Sequence, residues 1–496
     1  MNMDQKEQDA SYSHILKYTG VFGGVQGLNI IVSLVRTKLI ALLLGPSGMG
    51  LASLFNTTVG FVSQATNFGI PMSAVKHLSL LYKEQDEAQM ARYIKIIRAW
   101  SLTTALLGML VCVVIGPFLS SHTFAWGDHT WHFILLSPAV GLIAITGGET
   151  AILKSVRRLQ SLAVVQVYAI LATLVVAIPA YYFFGQAAIV PVIVLLALIS
   201  MLLTVRFSYK LYPLQLSGAR GMMGEGMNMI RLGIAFVIAG VMGSGAEMLI
   251  RSYLNVHGDL DAVGLYNAGF MLTITYAGVV FSSMEPDYFP RLSAVQHDIA
   301  ASNDTVNRQM EVSILLLSPM LAALIIFLPI LIPLMFSSEF LPVVAMAQVA
   351  TLAMYFKVMT LPVAYITLAR GYSLSYLFLE TSYFVVLVLL IIFCYSNWGL
   401  YGTGIAITLA HLFEYVLVNG YAYKKYGYRF SATVYGYAIV QVALGLIAFL
   451  LTLTTEGPLY WVAGLLVVSA SCLLSLFVLR SKTHLWRALT RRFRKS

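Results

Sequence analysis

The chain has 496 residues, of which 59% are hydrophobic and only 10% charged, with a formal net charge of +10. A soluble domain carries about 25% charged residues, so this composition excludes a soluble enzyme or binding domain and puts most of the chain in lipid. The three cysteines, Cys112, Cys394 and Cys472, fall in separate apolar runs with neither metal-ligand spacing nor a disulfide pattern.

Met1 to Ser13 is polar and carries acids as well as a lysine, so no cleavable signal is expected ahead of the first apolar run. Crossing hydrocarbon takes about 20 apolar residues. Fourteen such runs follow, at 17–44, 51–75, 99–119, 131–153, 162–184, 187–208, 231–256, 262–284, 310–336, 342–368, 375–396, 399–422, 433–453 and 459–480. Their turns alternate in character. One set has no Lys or Arg: 45–50, 120–130, 185–186, 257–261, 337–341, 396–398 and 454–458. The other set carries the cations, from Lys76–Arg98 through Arg370 and Lys424–Arg429 to the tail from Arg480. Of the 31 basic residues, only Arg36, Lys38, Arg251 and Lys357 lie well inside spans, away from their ends. This is a positive-inside pattern. It puts both termini in the cytoplasm and accounts for the net charge without nucleic acid. In the tail, Leu485, Leu489 and Phe493 recur every four residues among cations, the pattern of a helix lying on an anionic leaflet.

The chain also repeats. Met49-Gly50-Leu51-Ala52 opens the second span and Val263-Gly264-Leu265-Tyr266 opens the eighth, at an offset of 214 residues shared by His77-Leu78-Ser79 and Arg291-Leu292-Ser293. With one residue of slippage Val35-Arg36 falls on Ile250-Arg251, and Ala151 and Arg157 fall on Ala364 and Arg370. Six spans separate the copies, so they share orientation. The expected architecture is an all-α polytopic membrane protein of fourteen helices. Residues 1–210 and 231–426 form two six-helix lobes related by a pseudo-two-fold axis, joined by a cytoplasmic linker at 211–230. Two further helices at 427–480 and a basic tail at 481–496 complete it. Parallel repeats of this kind place a substrate site where the halves meet.

A cation at the bilayer centre costs about 2.5–3.5 kcal/mol even on lenient scales, so the embedded charges are the candidate site residues. Arg36 and Arg251 are repeat mates, and guanidinium forms bidentate bonds to phosphate oxygens. Snorkelling to the outer headgroups is the competing reading for both and is stronger for Lys38. Lys357 lies near the middle of its span and is expected to face water, a carboxylate or a substrate. Four acids are embedded too. Glu247 precedes Arg251 by four residues and shares its helix face. Glu414 follows His411 by three residues, a pair that reads either as a proton carrier or as a structural hydrogen bond. Glu149 and Glu380 lie close to cytoplasmic span ends, where partial hydration is expected. Asn29, Asn56, Gln64, Asn67, Gln166 and Asn267 add neutral hydrogen-bonding groups, which suit a sugar or helix packing. His122, Asp128, His129 and His132 cluster in one external turn without the spacing of a zinc site. No phosphate-binding loop, nucleophile elbow or dinucleotide glycine pattern occurs, so neither a cofactor nor an enzymatic reaction is expected.

Leu44-Gly45-Pro46-Ser47-Gly48-Met49-Gly50-Leu51 after a basic first span, with Glu339-Phe340, Gln348, Tyr355-Phe356-Lys357-Val358 and Ala369-Arg370, resembles the polysaccharide transporters of the MOP exporter superfamily. The resemblance is strongest to Wzx flippases of O-antigen and enterobacterial common antigen assembly. It implies transfer of undecaprenyl-pyrophosphate-linked oligosaccharide between leaflets of the bacterial inner membrane by alternating access. It also implies polymerase and export proteins as partners, and a lipid-facing groove formed by the two terminal helices. A MATE-like drug or cation exporter of the same superfamily is the alternative. The balance of four embedded bases against four acids speaks against the acidic cavity it would need. A membrane glycosyltransferase or polymerase would need larger external loops than these.

Overall fold

A computed structural model describes residues 3–123, 128–156, 158–214, 224, 226–275, 278, 288–289, 291–455 and 457–482. Everything described is helix or short connection, and the helices fall in two compact units, Met1–Val263 with Met335–Ser337, and Gly264–Leu334 with Ser338–Ser496.

The first unit holds α1 (Met3–Thr66), α2 (Ile70–Glu84), α3 (Glu87–Thr123), α4 (Thr130–Ser155), α5 (Leu159–Phe184), α6 (Ile189–Leu211) and α7 (Met227–His257). α1 is two helices joined at Gly45, whose φ of 64° and ψ of −174° interrupt the helix before Pro46. The cause is local. A residue before proline is pushed out of the helical region, glycine tolerates positive φ, and proline suits the first turn of the helix that follows. α4 lies at the centre of the unit and touches α1, α2, α3, α5 and α6. Its Ala151 and Ile152 share a core with Ile70, Ala74 and Leu78 of α2 and with Ile94 and Ile97 of α3.

α7 packs on α1, α2 and α3, so the compact unit runs one helix beyond the lobe boundary expected after residue 210. Small residues make this possible. The backbone of Gly233 lies directly against that of Phe68 and Gly69, leaving no room for a Cβ, and Gly240 and Gly245 seat on Gln64 and Phe61. Half of the linker expected at 211–230 lies outside the described residues, as do the basic tail beyond 482 and the side chain of Asn29.

The second unit holds most of α8 (Leu260–Phe270), which runs into a π-helical turn at Met271–Thr275. It continues with α9 (Ile299–Met335), α10 (Val344–Ala369), α11 (Ser373–Tyr426), α12 (Ala432–Thr454) and α13 (Gly457–Lys482). α11 is interrupted at Gly399, where φ is 56°. Side chains that reach across to backbone carbonyls hold this unit together. Pro329 lacks an N–H, so the carbonyl of Ile325 has no helical partner. Gln348 of α10 supplies one, its Nε2 donating to Ile325 O at 3.1 Å. Tyr460 of α13 donates to Ile326 O at 2.7 Å, and Gln441 of α12 bonds Ser471 and Ser475 of α13.

Both units expose large apolar side chains along their helices, such as Leu106, Leu110 and Val114 on α3 and Leu466, Leu473 and Phe477 on α13. A soluble surface does not tolerate such continuous bands, so these faces meet lipid. Among the described residues nine helical stretches are long and apolar enough to cross a bilayer. The protein is therefore a multi-pass membrane protein. Several of these stretches hold two of the fourteen apolar runs across a short break. Ser161–Leu211 contains the turn Gly185–Ala188, and Ser373–Tyr426 contains Gly399.

Candidate functional site

The second unit brings four of the embedded ionisable residues to one place. Lys357 projects from the middle of α10 and its Nζ lies 2.9 Å from Glu414 Oε1 on the second segment of α11. The pair is well shielded, with side-chain exposures of 22% and 5%. The ammonium also sits 5.6 Å from the ring centroid of Tyr383, on the first segment of α11. Of the surroundings expected for Lys357, the structure selects a carboxylate. The other oxygen of Glu414, Oε2, is buried and makes no hydrogen bond among the described residues. Glu380, half-buried one turn from Tyr376, accepts a hydrogen bond from its hydroxyl and lies near enough to feel both Lys357 and Glu414.

His411 is buried, but it does not pair with Glu414 as the three-residue spacing suggested. Its Nδ1 donates to Ile407 O at 2.9 Å, and its Nε2 lies 3.4 Å from Tyr383 Oη. A carboxylate is better neutralised by an ammonium than by a neutral imidazole, so Lys357 takes the place that spacing assigned to His411. The cluster thus sets one base against two acids beside His411.

In the first unit Arg251 is 4% exposed, so it does not snorkel. Its Nε donates to Ser53 Oγ on α1 at 2.8 Å, and its Nη1 reaches Glu247 O at 3.2 Å and Glu247 Oε2 at 3.3 Å. The expected pair with Glu247 is present, but the Glu247 side chain is 47% exposed and in contact with the surroundings. Arg36, on α1, donates to Ser33 Oγ at 3.2 Å and is half-buried, as is Lys38. Two residues apart on a helix, the two cations leave opposite sides. Thr37 between them is buried at 7% exposure. Arg251 stands in the same compact unit as Arg36, a different arrangement from a grip by one arginine from each lobe.

Glu149 departs furthest from expectation. It is buried, 3% exposed, rather than partly hydrated. Arg98, counted by sequence with the loop cations, is buried beside it. Arg98 Nε donates to Glu149 Oε1 at 2.8 Å and Nη2 to Oε2 at 3.2 Å, and Ser208 Oγ donates to the same Oε2 at 2.5 Å. The guanidinium also donates to Tyr212 O and Pro213 O and lies 4.4 Å from the Tyr209 ring centroid. With both carboxylate oxygens and three donor nitrogens engaged, this is a structural joint of α3, α4 and the end of α6, not a binding group. The signal for it was present in the sequence: Ile94, Ile97 and Ser101 surround Arg98 at helical spacing and are all buried.

The neutral polar groups are mainly local. Asn67 Oδ1 accepts from Gly69 N and its Nδ2 donates to Gln64 Oε1, shaping the turn between α1 and α2. In the external turn, Asp128 Oδ1 accepts from Thr130 N at 2.9 Å and Ser120 Oγ at 3.4 Å. Hydrogen bonds from Thr130 hold its carboxyl below the usual range. His129 and His132 approach within 3.3 Å through their Nδ1 atoms. Among the described residues no three His, Cys, Asp or Glu side chains are placed to hold a metal ion.

Comparison with known proteins sets this geometry in context. The structure of the lipid II flippase MurJ in an inward closed conformation is similar, with a TM-score of 0.66 at 13% identity, covering 93% of this chain and 99% of that one. An inward-facing multidrug resistance MATE family transporter of the MOP superfamily gives 0.65 at 13% identity, covering 80% and 94%. A MOP superfamily transporter from Pyrococcus furiosus, described as having a binding pocket of reversed polarity, gives 0.54 at 12% identity, covering 82% and 92%. At these identities the likeness is one of fold. No curated protein matches the chain in sequence. The sequence profile of one family, described as "Polysaccharide biosynthesis protein", matches residues 39–345, more than half of the chain and a span that includes Arg251 and the start of α10. An all-helical membrane protein with arginine and lysine side chains inside apolar helices is what the sequence predicted; its fold is similar to those of MOP superfamily transporters, and the chain belongs to the polysaccharide biosynthesis protein family.

Proposed function

We propose that the protein is a flippase. It moves undecaprenyl-pyrophosphate-linked oligosaccharide, an O-antigen or similar surface-polysaccharide repeat unit, from the cytoplasmic to the periplasmic leaflet of the bacterial inner membrane by alternating access. Fourteen spans with both termini cytoplasmic, and handover to polysaccharide polymerase and export proteins, belong to the same reading. The observation that carries it is the state of Arg251, which is buried in an apolar helix while the carboxylate it contacts is half-exposed. A phosphate oxygen arriving from that side can replace Glu247 without uncovering the arginine, because Ser53 continues to hold Nε. Arg36 and Lys38, in the same unit, add further cations on opposite sides of α1. Lys357 with Glu414, Glu380 and His411 supplies a shielded group of ionisable side chains that can change protonation or partner during the cycle.

The test is to delete the gene and follow lipid-linked glycans. Accumulation of one of them on the cytoplasmic side, relieved by the wild-type gene and not by Arg36→Gln with Arg251→Gln, is expected. No accumulation would sink the reading. The excess of acid over base around Lys357 favours a second reading, a MATE-like exporter of organic cations. Saturable binding of such cations to the purified protein, lost in Glu414→Gln, would replace the first reading with this one.

A further inference from the structure

One cluster in the second unit is used by neither reading. At the end of α10 and the two ends of α11, three tyrosines surround two cations. Lys425 Nζ lies 4.4 Å from the ring centroid of Tyr372, 5.1 Å from Tyr421 and 5.7 Å from Tyr426. Arg370 Cζ lies 5.0 Å from the same Tyr426 ring. Tyr426 packs against both other rings, with centroids 6.0 Å from Tyr372 and 5.8 Å from Tyr421. No ion pair joins Arg370 or Lys425 to a carboxylate among the described residues. Two positive charges therefore share one aromatic wall with no described anion between them, an arrangement that repulsion opposes.

The cluster's hydrogen bonds leave donors unspent. Lys425 Nζ donates to Ser375 Oγ at 3.0 Å and Tyr421 Oη at 2.6 Å, and Tyr421 Oη donates onward to Ser375 Oγ at 2.6 Å. An ammonium has three donors, so one remains. Arg370 Nε is buried and has no hydrogen-bond partner. The Tyr426 hydroxyl, on a residue only 4% exposed, stands beside Tyr421 and Ser375 but makes no well-aligned hydrogen bond among the described residues. Each of these groups can donate, and two of them, the ammonium and the guanidinium, can only donate. Such a set fits a ligand made only of acceptors, and the first turn of α11, which has no side-chain cap, adds a further preference for negative charge. An oxyanion with several oxygens, a phosphate or diphosphate, meets these requirements.

We infer that Arg370, Ser375, Tyr421, Lys425 and Tyr426 form a phosphate-binding site at the end of the second unit that carries the basic turns. The inference rests on the proposed flippase and its orientation, which put this end at the cytoplasmic leaflet, where a diphosphate-linked lipid is first met. There the site captures the headgroup before it reaches the cations deeper in the helices. The tyrosine rings hold the cations by cation–π contact and keep carboxylate-free positive charge at the membrane surface.

The test uses the full chain in non-ionic detergent, free of phosphate, with inorganic pyrophosphate and farnesyl pyrophosphate as probes in equilibrium dialysis. The wild type is expected to bind both. Arg370→Gln with Lys425→Gln is expected to weaken both by about tenfold or more. Tyr426→Phe keeps the ring and its packing, so a merely structural cluster leaves binding unchanged, whereas the proposed site loses several-fold. Equal affinity for the two probes identifies a free diphosphate as sufficient, and tighter farnesyl pyrophosphate identifies a lipid headgroup; either supports the site. Absence of binding to the wild type, or full binding by the double variant, overturns it. If binding survives there but is lost in Arg36→Gln with Arg251→Gln, the flippase reading stands and this site falls. If the double variant loses binding while gene deletion accumulates no glycan, the site stands and the flippase reading falls.

Discussion

Arg98 and Glu149 meet fork to fork, 51 residues apart in sequence, with Nε–Oε1 at 2.8 Å and Nη2–Oε2 at 3.2 Å, both side chains at or below 5% exposure. Removing one partner leaves the other buried and uncompensated, which costs about 3–5 kcal/mol, whereas replacing both with apolar residues of similar volume is often near neutral. Arg98→Met is therefore expected to lower the thermal midpoint of the detergent-solubilised protein sharply. Arg98→Met with Glu149→Leu is expected to recover most of the loss. A double variant as unstable as the single one would show that the two side chains do not act as a pair.

Lys357 and Glu414 bridge α10 and the second segment of α11 at 2.9 Å. Lys357→Ala strands Glu414, whose Oε2 already lacks a partner. The expected outcome is loss of polysaccharide export together with reduced stability. Lys357→Glu with Glu414→Lys restores the ion pair with its polarity reversed. We expect this swap to recover stability but not export, because Glu380 and Tyr383 are placed for a cation on α10. Thermal midpoint and surface-glycan level, measured on the same variants, separate the two effects.

Gln348 stands in for the N–H that Pro329 lacks, by donating to Ile325 O. Gln348→Leu leaves a buried carbonyl unsatisfied, at a cost of about 1–3 kcal/mol. Pro329→Ala returns a backbone donor to the same carbonyl. The two substitutions together are expected to cost less than the sum of the two alone, and additivity in a double-mutant cycle would refute the compensation.

Ser53 fixes Arg251 from α1, with Oγ accepting from Nε at 2.8 Å. A hydrogen bond to a charged group contributes about 1.5–3 kcal/mol, so Ser53→Ala should destabilise by about that amount and loosen the guanidinium. Arg251→Lys keeps the charge but not the fork. It is expected to retain expression and to lose most of the export activity, read from glycan accumulation in whole cells.

The lipid-facing character of the chain and its charge alternation were legible because they depend on runs of consecutive residues. Lys357 was legible as a residue in need of a partner, since mid-span depth follows from counting along a helix. The identity of that partner was not. Spacing pointed Glu414 at His411, three residues away on one helix face, while the structure joins Glu414 to Lys357, 57 residues away. Arg98 was missed for a related reason. A cation within a turn of a span end looks solvated when the sequence is read in one dimension, and only the return of α6, with the Tyr212 and Pro213 carbonyls, encloses it.

The sequence by itself determined the class of protein, since hydrophobic length and the distribution of Lys and Arg are properties of local segments that the bilayer reads directly. It also determined which charges would be costly: Arg36, Lys38, Arg251 and Lys357. Only the tertiary structure decided how those costs are met. Arg251 rests on Ser53, 198 residues away, because glycines let α7 settle on α1 and α2. Neutralising a buried charge needs a partner within about 3–4 Å, and distances between helices are set by packing rather than by position along the chain.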